Sequence, residues 1–382
     1  MDEPVNSVLI VGAGPVGAVC ALALRQQGIA ARVLEAQPAD ARADARTLAL
    51  SHGSRLILER LGVWEKLGGV TPITRIHISQ RGALGVARLA AEELCVPALG
   101  YVLPYAELTA VLKQMLGDAG IAVEYGVAVD RIESGTEAAT LHAADGRMLT
   151  APLVVVADGG RGDQAPPPRF ERDYDQMAVV CDVETELPHV NQAFERFTPE
   201  GPAALLPKDD RYALVWTARS DEAQRIAALP DAEFLATLQR HFGGRQGLFL
   251  QASPRKTFPL RLAYTGSEAT GRVVRIGNAA QTLHPVAGQG FNIGLRDAWE
   301  LANLCGDTAE AETGGTAMLA AYARGRRTDV MGGLGFTDFL VRVFSNDVAP
   351  LRHARGLGLL ALEALPPLKI FVARRMMFGA RG

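Results

Sequence analysis

Three patterns of hydrophobic and polar positions run along the chain. Ser7-Val8-Leu9-Ile10-Val11 and Leu153-Val154-Val155-Val156-Ala157 are continuous apolar runs, as expected of strands buried on both faces of a parallel sheet. Val273-Val274-Arg275-Ile276 resumes that pattern, with an arginine that the sequence does not explain. Helical spacing marks Val16 to Gln27, about Ser51 to Leu61, Tyr105 to Leu116 and about Asp231 to His241. It begins again near Asn292, where Ile293, Leu295, Ala298 and Leu301 supply one apolar face. Alternation over 72–103 and over roughly 170–262 predicts half-buried strands. Residues 127–150 read as a meander turning at Ala144-Asp145-Gly146.

Glycine punctuates the ends of the apolar runs. Gly12-Ala13-Gly14-Pro15-Val16-Gly17 fits G-x-G-x-x-G between a strand and a helix. In that setting Gly12 permits the tight turn, Gly14 lets backbone approach a pyrophosphate, and Gly17 lets helix and strand pack closely. Ala31-Arg32-Val33-Leu34 is the next strand, and Glu35 at its tip stands where a carboxylate takes the ribose hydroxyls of an adenosine. This fingerprint does not separate NAD from FAD. Asp158-Gly159-Gly160 ends the second run, and Gly277 opens GNAAQTLHPVAGQG after the third. Ligands of doubly wound sheets lie at the carboxyl ends of strands, so three strands of one sheet would converge their loops on one long ligand. Ala287 to Phe291 approaches a helix N-terminus, whose free N–H groups suit an anion or the charge on the pyrimidine side of a reduced flavin.

Composition narrows the function classes. With 382 residues, 48% of them hydrophobic, the chain suffices for two domains or for one with a large insertion. A net charge of -3 gives no global basic field, so no nucleic-acid partner is expected. Cys20, Cys95, Cys181 and Cys305 lack CxxC spacing, which predicts buried free thiols and neither a metal site nor a disulfide framework. The acidic start is unlike a signal peptide, and no apolar run reaches about 18 residues, so a cytoplasmic placement is expected.

The run GNAAQTLHPVAGQGFNIGLRDAWELA, with GAGPVG, Glu35, RTLALS, VVVADGG and the tail FSNDVAPLRHARGLGLLALEALPPLKIFVARRMMFG, resembles the ubiquinone-biosynthesis branch of the class A flavoprotein aromatic monooxygenases. The resemblance covers nearly the whole chain. It implies an α/β, p-hydroxybenzoate hydroxylase-like FAD-binding Rossmann domain with an inserted β-rich substrate domain and C-terminal helices. The boundaries expected are 1–71, 104–166 and 265–345 for the FAD-binding part, 72–103 and 167–264 for the β-rich part, and 346–382 for the helical tail.

Carried over residue by residue, the resemblance implies that Gly12, Gly14 and Gly17 hold the pyrophosphate and Glu35 the adenosine ribose. Arg46 lies near the phosphate and ring region, Asp158 and Gly159 form the second motif, and Asn278 takes the place of the usual aspartate near the ribityl chain. Gly288, Gln289, Gly290, Phe291 and Asn292 lie beside the isoalloxazine. Three positions depart from the family pattern: Gly162 replaces the serine of DGxxS, Asn278 the aspartate of GD, and Tyr105 an arginine or other polar residue. His284 is either a weak catalytic candidate or a loop-capping ring. Arg296 and Asp297 read as a helix-surface pair, and Trp299 as packing.

The implied reaction is ring hydroxylation of a hydrophobic polyprenylated phenol. FAD is the cofactor, NAD(P)H the transient reductant and O2 the co-substrate, through a flavin C4a-hydroperoxide. The alternatives are a flavoprotein oxidase or prenyl-lipid reductase of the same fold, or a non-catalytic flavin-binding scaffold within a biosynthetic assembly. The apolar tail with Arg374 and Arg375 reads equally as a helix pair packed on the FAD domain or as a segment resting on the inner face of an anionic membrane.

Overall fold

The computed structural model describes all residues except 1, 5–7, 42–45, 83–84, 163–166, 267–270, 284–287, 345–347 and 382. At its centre lies a five-stranded parallel sheet in the order Val273–Arg275, Val154–Val156, Val8–Val11, Ala31–Glu35, Ala122–Tyr125. The three apolar runs are therefore adjacent. Side chains of Val8 to Val11 and Val154 to Val156 are buried throughout, because helices cover one face and a meander of Val129–Ser134, Ala139–Ala143 and Met148–Ala151 covers the other.

The helices among the described residues are α1 (Pro15–Gln26), α2 (His52–Arg60), α3 (Tyr105–Asp118), α4 (Ser220–Ala228), α5 (Asp231–Phe242), α6 (Gln289–Gly306), α7 (Thr316–Phe344), α8 (Ala349–Ala364) and α9 (Pro366–Phe378). α1 and α6 pack together across the parallel sheet. Glycines allow the approach: a Cβ on Gly294 would lie 3.0 Å from Val16 Cγ2 and 3.2 Å from Gly277 Cα. Ser51 caps α2, its Oγ accepting the Ser54 N–H at 3.2 Å.

A large, mostly antiparallel sheet forms the second body. Its central strands are Phe170–Thr185, Arg211–Arg219, Gly201–Lys208 and Gln192–Thr198, and Gln192–Thr198 pairs in parallel with Arg75–Gln80. A three-stranded sheet of Thr47–Ser51, Gly100–Pro104 and Thr71–Ile73 bridges the two bodies.

Some expectations need correction. α6 starts at Gln289, before its apolar period begins, because its first turn borders a cavity where no apolar stripe is required. A second helix, α4, precedes α5; its acidic first turn, Asp221 and Glu222, follows directly on a strand pattern that masked it. Cys20, Cys181 and Cys305 are buried, but Cys95 is exposed at a left-handed turn (φ 54°). Arg296 and Asp297 are not a surface pair. Both are buried, since α7 covers the face of α6 that carries them.

Candidate functional site

The first glycine turn is built by exclusion. Gly12 has φ 104°, and a Cβ there would sit 2.6 Å from the Ala157 carbonyl oxygen of the neighbouring strand end. A Cβ on Gly17 would overlap the Gly12 carbonyl at 2.0 Å. Gly14, by contrast, has open space, and it is the N-cap of α1 with no side-chain cap bond. The N-terminal N–H groups of α1 thus have no side chain over them where the turn lines the cavity. Glu35 is half-buried; one carboxylate oxygen accepts the Ala13 N–H at 2.7 Å and the other the Gln37 N–H at 2.9 Å. A carboxylate has roughly four acceptor positions, so it keeps capacity for a vicinal diol.

The second turn is closed on Asp158. Its carboxylate accepts the Gly160 N–H at 2.8 Å and the Gly162 N–H at 3.1 Å, while Gly159 and Gly160 have φ of 75° and 72°. A Cβ on Gly162 would lie 2.6 Å from Asp158 Oδ2. In this loop the backbone N–H contacts the carboxylate directly, and a side chain at 162 would require the Asp158 carboxylate to shift. Arg275 now has an explanation: it is half-buried at the cavity wall beside this turn. Desolvation lowers its pKa, and the Asp158 charge opposes that change.

The third turn leads into α6. Gly277 takes φ 59°, and Asn278 is exposed on the cavity wall. Gly288, in left-handed conformation at φ 60°, is the N-cap of α6 without a side-chain cap bond. Gly288, Gln289, Gly290, Phe291 and Asn292 all line the cavity. Asn292 has spent its amide: Nδ2 donates to the carbonyls of Ala49 (3.0 Å) and Gly288 (2.7 Å), and Oδ1 accepts from Ser51 N (2.8 Å) and Ser54 Oγ (2.7 Å). It locks the helix start to the strand Thr47–Ser51. Arg46 stands over the rings of Tyr105 (5.4 Å) and Phe258 (5.9 Å) at the same wall. His284 falls outside the described residues.

Behind the third turn lies a buried ionic network that the sequence did not disclose. Asp297 is fully buried; Oδ2 accepts the Gly277 N–H (3.0 Å) and Gln281 Nε2 (2.6 Å), and Oδ1 pairs with Arg326 Nε at 2.7 Å. Arg326 also reaches Asp329 (2.8 Å) and Glu300 (3.0 Å), and Asp329 pairs with Arg296 and accepts the Ala380 N–H at 2.9 Å. These cations hold the Asp329 carboxyl below its usual range against the cost of burial. The only sequence signal was an Arg-Asp pair in a helix followed one helix later by Arg326 and Asp329, a spacing that becomes informative only once α6 and α7 are seen to pack.

All three turns open into one cavity of about 1550 Å³. It continues past Ala49 under the large sheet, bounded by Ala193, Glu195, Phe197, Ala204 and Val215, to Phe339, Leu340 and Phe344 of α7 and to residues of α8 and α9. One end carries Glu35, Arg46, Lys113, Asp158 and Arg275; the other is apolar save for Glu195 and Arg355. The polar end fits FAD: one uncapped helix start at a glycine that faces open space, a second uncapped start beyond it, and an acid with free acceptor positions between strand tips. Among the described residues no group of three or more His, Cys, Asp or Glu side chains could hold a metal ion. No single helix among them is long and apolar enough to cross a membrane.

A family model described as the FAD binding domain matches residues 6–333. The ubiquinone hydroxylase UbiL of Rhodospirillum rubrum is 35% identical over 387 residues, covering 98% of this chain and 90% of the relative. The 3-demethoxyubiquinol 3-hydroxylase of Escherichia coli K12 is 30% identical over 386 residues, with 97% of each chain covered. Among solved structures, PqsL of Pseudomonas aeruginosa, a probable FAD-dependent monooxygenase, superposes with a TM-score of 0.77 at 22% identity, over 93% of this chain and 100% of that one.

Proposed function

The chain belongs to the FAD binding domain family and is an FAD-dependent monooxygenase, and from that premise we propose that it hydroxylates the ring of a polyprenylated phenol in ubiquinone biosynthesis. The observation that carries this reading is the continuity of one cavity from a dinucleotide-shaped polar end to a long apolar end. The substrate class we infer is that of a 2-octaprenyl-6-methoxyphenol hydroxylase, whose signature the run GNAAQTLHPVAGQGFNIGLRDAWELA resembles. Reduced by NAD(P)H, bound FAD supplies the activation of O2 for oxygen transfer.

The protein's own residues do the rest. Gly12, Gly14 and Gly17 admit the pyrophosphate to the start of α1, and Glu35 holds the ribose diol. Asp158 keeps the Gly159 to Gly162 loop folded at the middle of the ligand, with Arg46 and Arg275 supplying positive charge along its length. Asn278 faces the ribityl chain. The N–H groups opening α6 face the pyrimidine side of the ring system, where negative charge is stabilised. Asn292 positions that helix start and does not itself supply a free donor. The FAD-binding part spans 1–71, 104–166 and 265–345, with 72–103 and 167–264 roofing the substrate. Within the segment 346–382, α8 and α9 close the far end of the cavity.

The prenyl chain leaves the cavity between the C-terminal helices. Phe339, Leu351 and Leu368 line it and are also 55%, 40% and 41% exposed. On the same two helices, α8 and α9, Leu357 and Phe371 are 67% and 64% exposed. This surface suits peripheral contact with a membrane that stores such substrates. Leu357→Ser with Phe371→Ser should abolish flotation with anionic vesicles while FAD content is retained; undiminished flotation would refute the contact.

The test of the reaction is to load the protein with FAD and record flavin bleaching by NADPH and by NADH, with and without a short-chain prenylated methoxyphenol. Bleaching accelerated by the phenol, followed by a product heavier by one oxygen, is the expected result. Hydrogen peroxide without oxygen insertion would instead indicate an oxidase, and a saturated alkene product a reductase.

A further inference from the structure

Glu195 is the one carboxylate on the apolar floor of the cavity among the described lining residues. It lies in the strand Gln192–Thr198, between Ile78 on one neighbouring strand and Ala204 on the other. Strand alternation puts Ala193 and Phe197 on the same face, and all five of these side chains line the cavity. Glu195 is half-buried. Among the described residues no hydrogen bond or ion pair reaches its carboxylate, and burial alone pushes its pKa up to about 8. The other charged group at this end, Arg355, is held by backbone: its Nη1 donates to the carbonyls of Val343 (2.7 Å) and Phe344 (3.3 Å).

The position of Glu195 relative to the cofactor end follows from packing. Gly288, the cap of α6, faces Ala49, and Asn292 binds the Ala49 carbonyl. Ala49 pairs with Val102, Val102 packs on Ala193, and Glu195 is the next residue on that face. On its far side Phe197 stacks against Phe344, with ring centroids 4.0 Å apart. The carboxylate therefore lies between the helix start assigned to the isoalloxazine and the aromatic wall of the apolar end. An unpaired acid in such a place is costly unless a ligand completes it.

We propose that Glu195 accepts the proton of the substrate's phenolic hydroxyl. The O–H bond breaks, its electron pair stays on the oxygen as phenolate, and the carboxylate becomes the carboxylic acid. The phenolate is the more electron-rich ring for oxygen transfer. An acid that ionises near the working pH is matched to that exchange. Among the described residues no other carboxylate lies on this floor: Val215 and Thr217 continue the face beyond Ala204. This role rests on reading the cavity as a phenol site.

The experiment compares 2-geranylphenol with its methyl ether, which has no proton to give. Affinities for both are measured by flavin fluorescence on FAD-loaded wild type and Glu195→Gln from pH 6.5 to 9.5. The wild type should prefer the phenol about tenfold at high pH, with the preference fading below pH 8. Glu195→Gln should bind FAD equally, show no preference at any pH, and lose at least about a hundredfold in hydroxylation. A preference that survives in Glu195→Gln, or that ignores pH in the wild type, overturns the assignment. Preference without oxygen insertion leaves Glu195 as the proton acceptor and refutes the hydroxylase reading. Failure of the wild type to bind either compound overturns both.

Discussion

The cavity has two ends made of different material. At Gly12, Asp158 and Gly277 the wall is main chain, with positive-φ glycines that exclude side chains and N–H groups left open. Under the large sheet and α7 to α9 the wall is side chain, contributed by residues from 73 to 377 that share no local pattern. At Gly12 and Gly17 the first end tolerates no added atom. The second is bounded by apolar groups whose size sets which ligand fits. The difference predicts that substitutions at one end act on cofactor retention and at the other on substrate choice.

The sharpest break of that comparison is Gly12→Ala. The new methyl would meet the Ala157 carbonyl at 2.6 Å at a φ that alanine rarely adopts, so the protein should lose its flavin absorbance entirely. Retention of FAD would mean that the turn yields. Next comes Asp297→Ala, which leaves Arg326 short of a buried partner. Thermal or urea unfolding should show a loss of about 3 kcal/mol, accompanied by weaker FAD binding through the freed Gly277 N–H. At the other end, Phe339→Ser should leave FAD content and melting temperature unchanged. It should raise the dissociation constant of a geranylphenol about fivefold while a dimethylallylphenol is unaffected, as titration of flavin fluorescence would show.

The smallest effects are in pH dependence, and their signs differ. His241 is buried against Trp216 and its pKa is lowered to about 3, mainly by desolvation. The unfolded chain takes up that proton first, so stability falls as pH drops from 6.5 toward 3. Glu195 is the reverse case. Its folded pKa, about 8, exceeds the ordinary carboxylate value, so the folded state binds the proton more tightly and stability falls as pH rises from about 4.5 to 8. Melting curves at pH 5 and pH 9 should show Glu195→Gln gaining a few degrees over wild type at the higher pH only.

Legibility followed the same division. Gly12, Gly14, Gly17, Glu35, Asp158 and Gly277 could be named because backbone geometry demands particular residue types at fixed offsets from a strand. The adjacency of the three apolar runs followed from the same logic. Glu195 could not be named, because an acid in an alternating strand looks the same whether its face meets water or a cavity. Asp297 misled for a similar reason: its neighbour Arg296 suggested a solvated pair, and only the packing of α7 on α6 shows both to be interior. Gly162 stood out in the sequence only as a departure from DGxxS, and the structure shows its N–H bonded to the Asp158 carboxylate.

The Ala380 N–H bonded to Asp329 has a consequence for biogenesis. A ribosome delivers the Gly12 turn early, but the network from Gly277 through Asp297, Arg326 and Asp329 to Ala380 is completed only when residues far downstream of that turn have emerged. The nascent protein therefore holds half a nucleotide site for most of its synthesis. FAD capture at the third turn therefore waits on α7 and on the segment that carries Ala380.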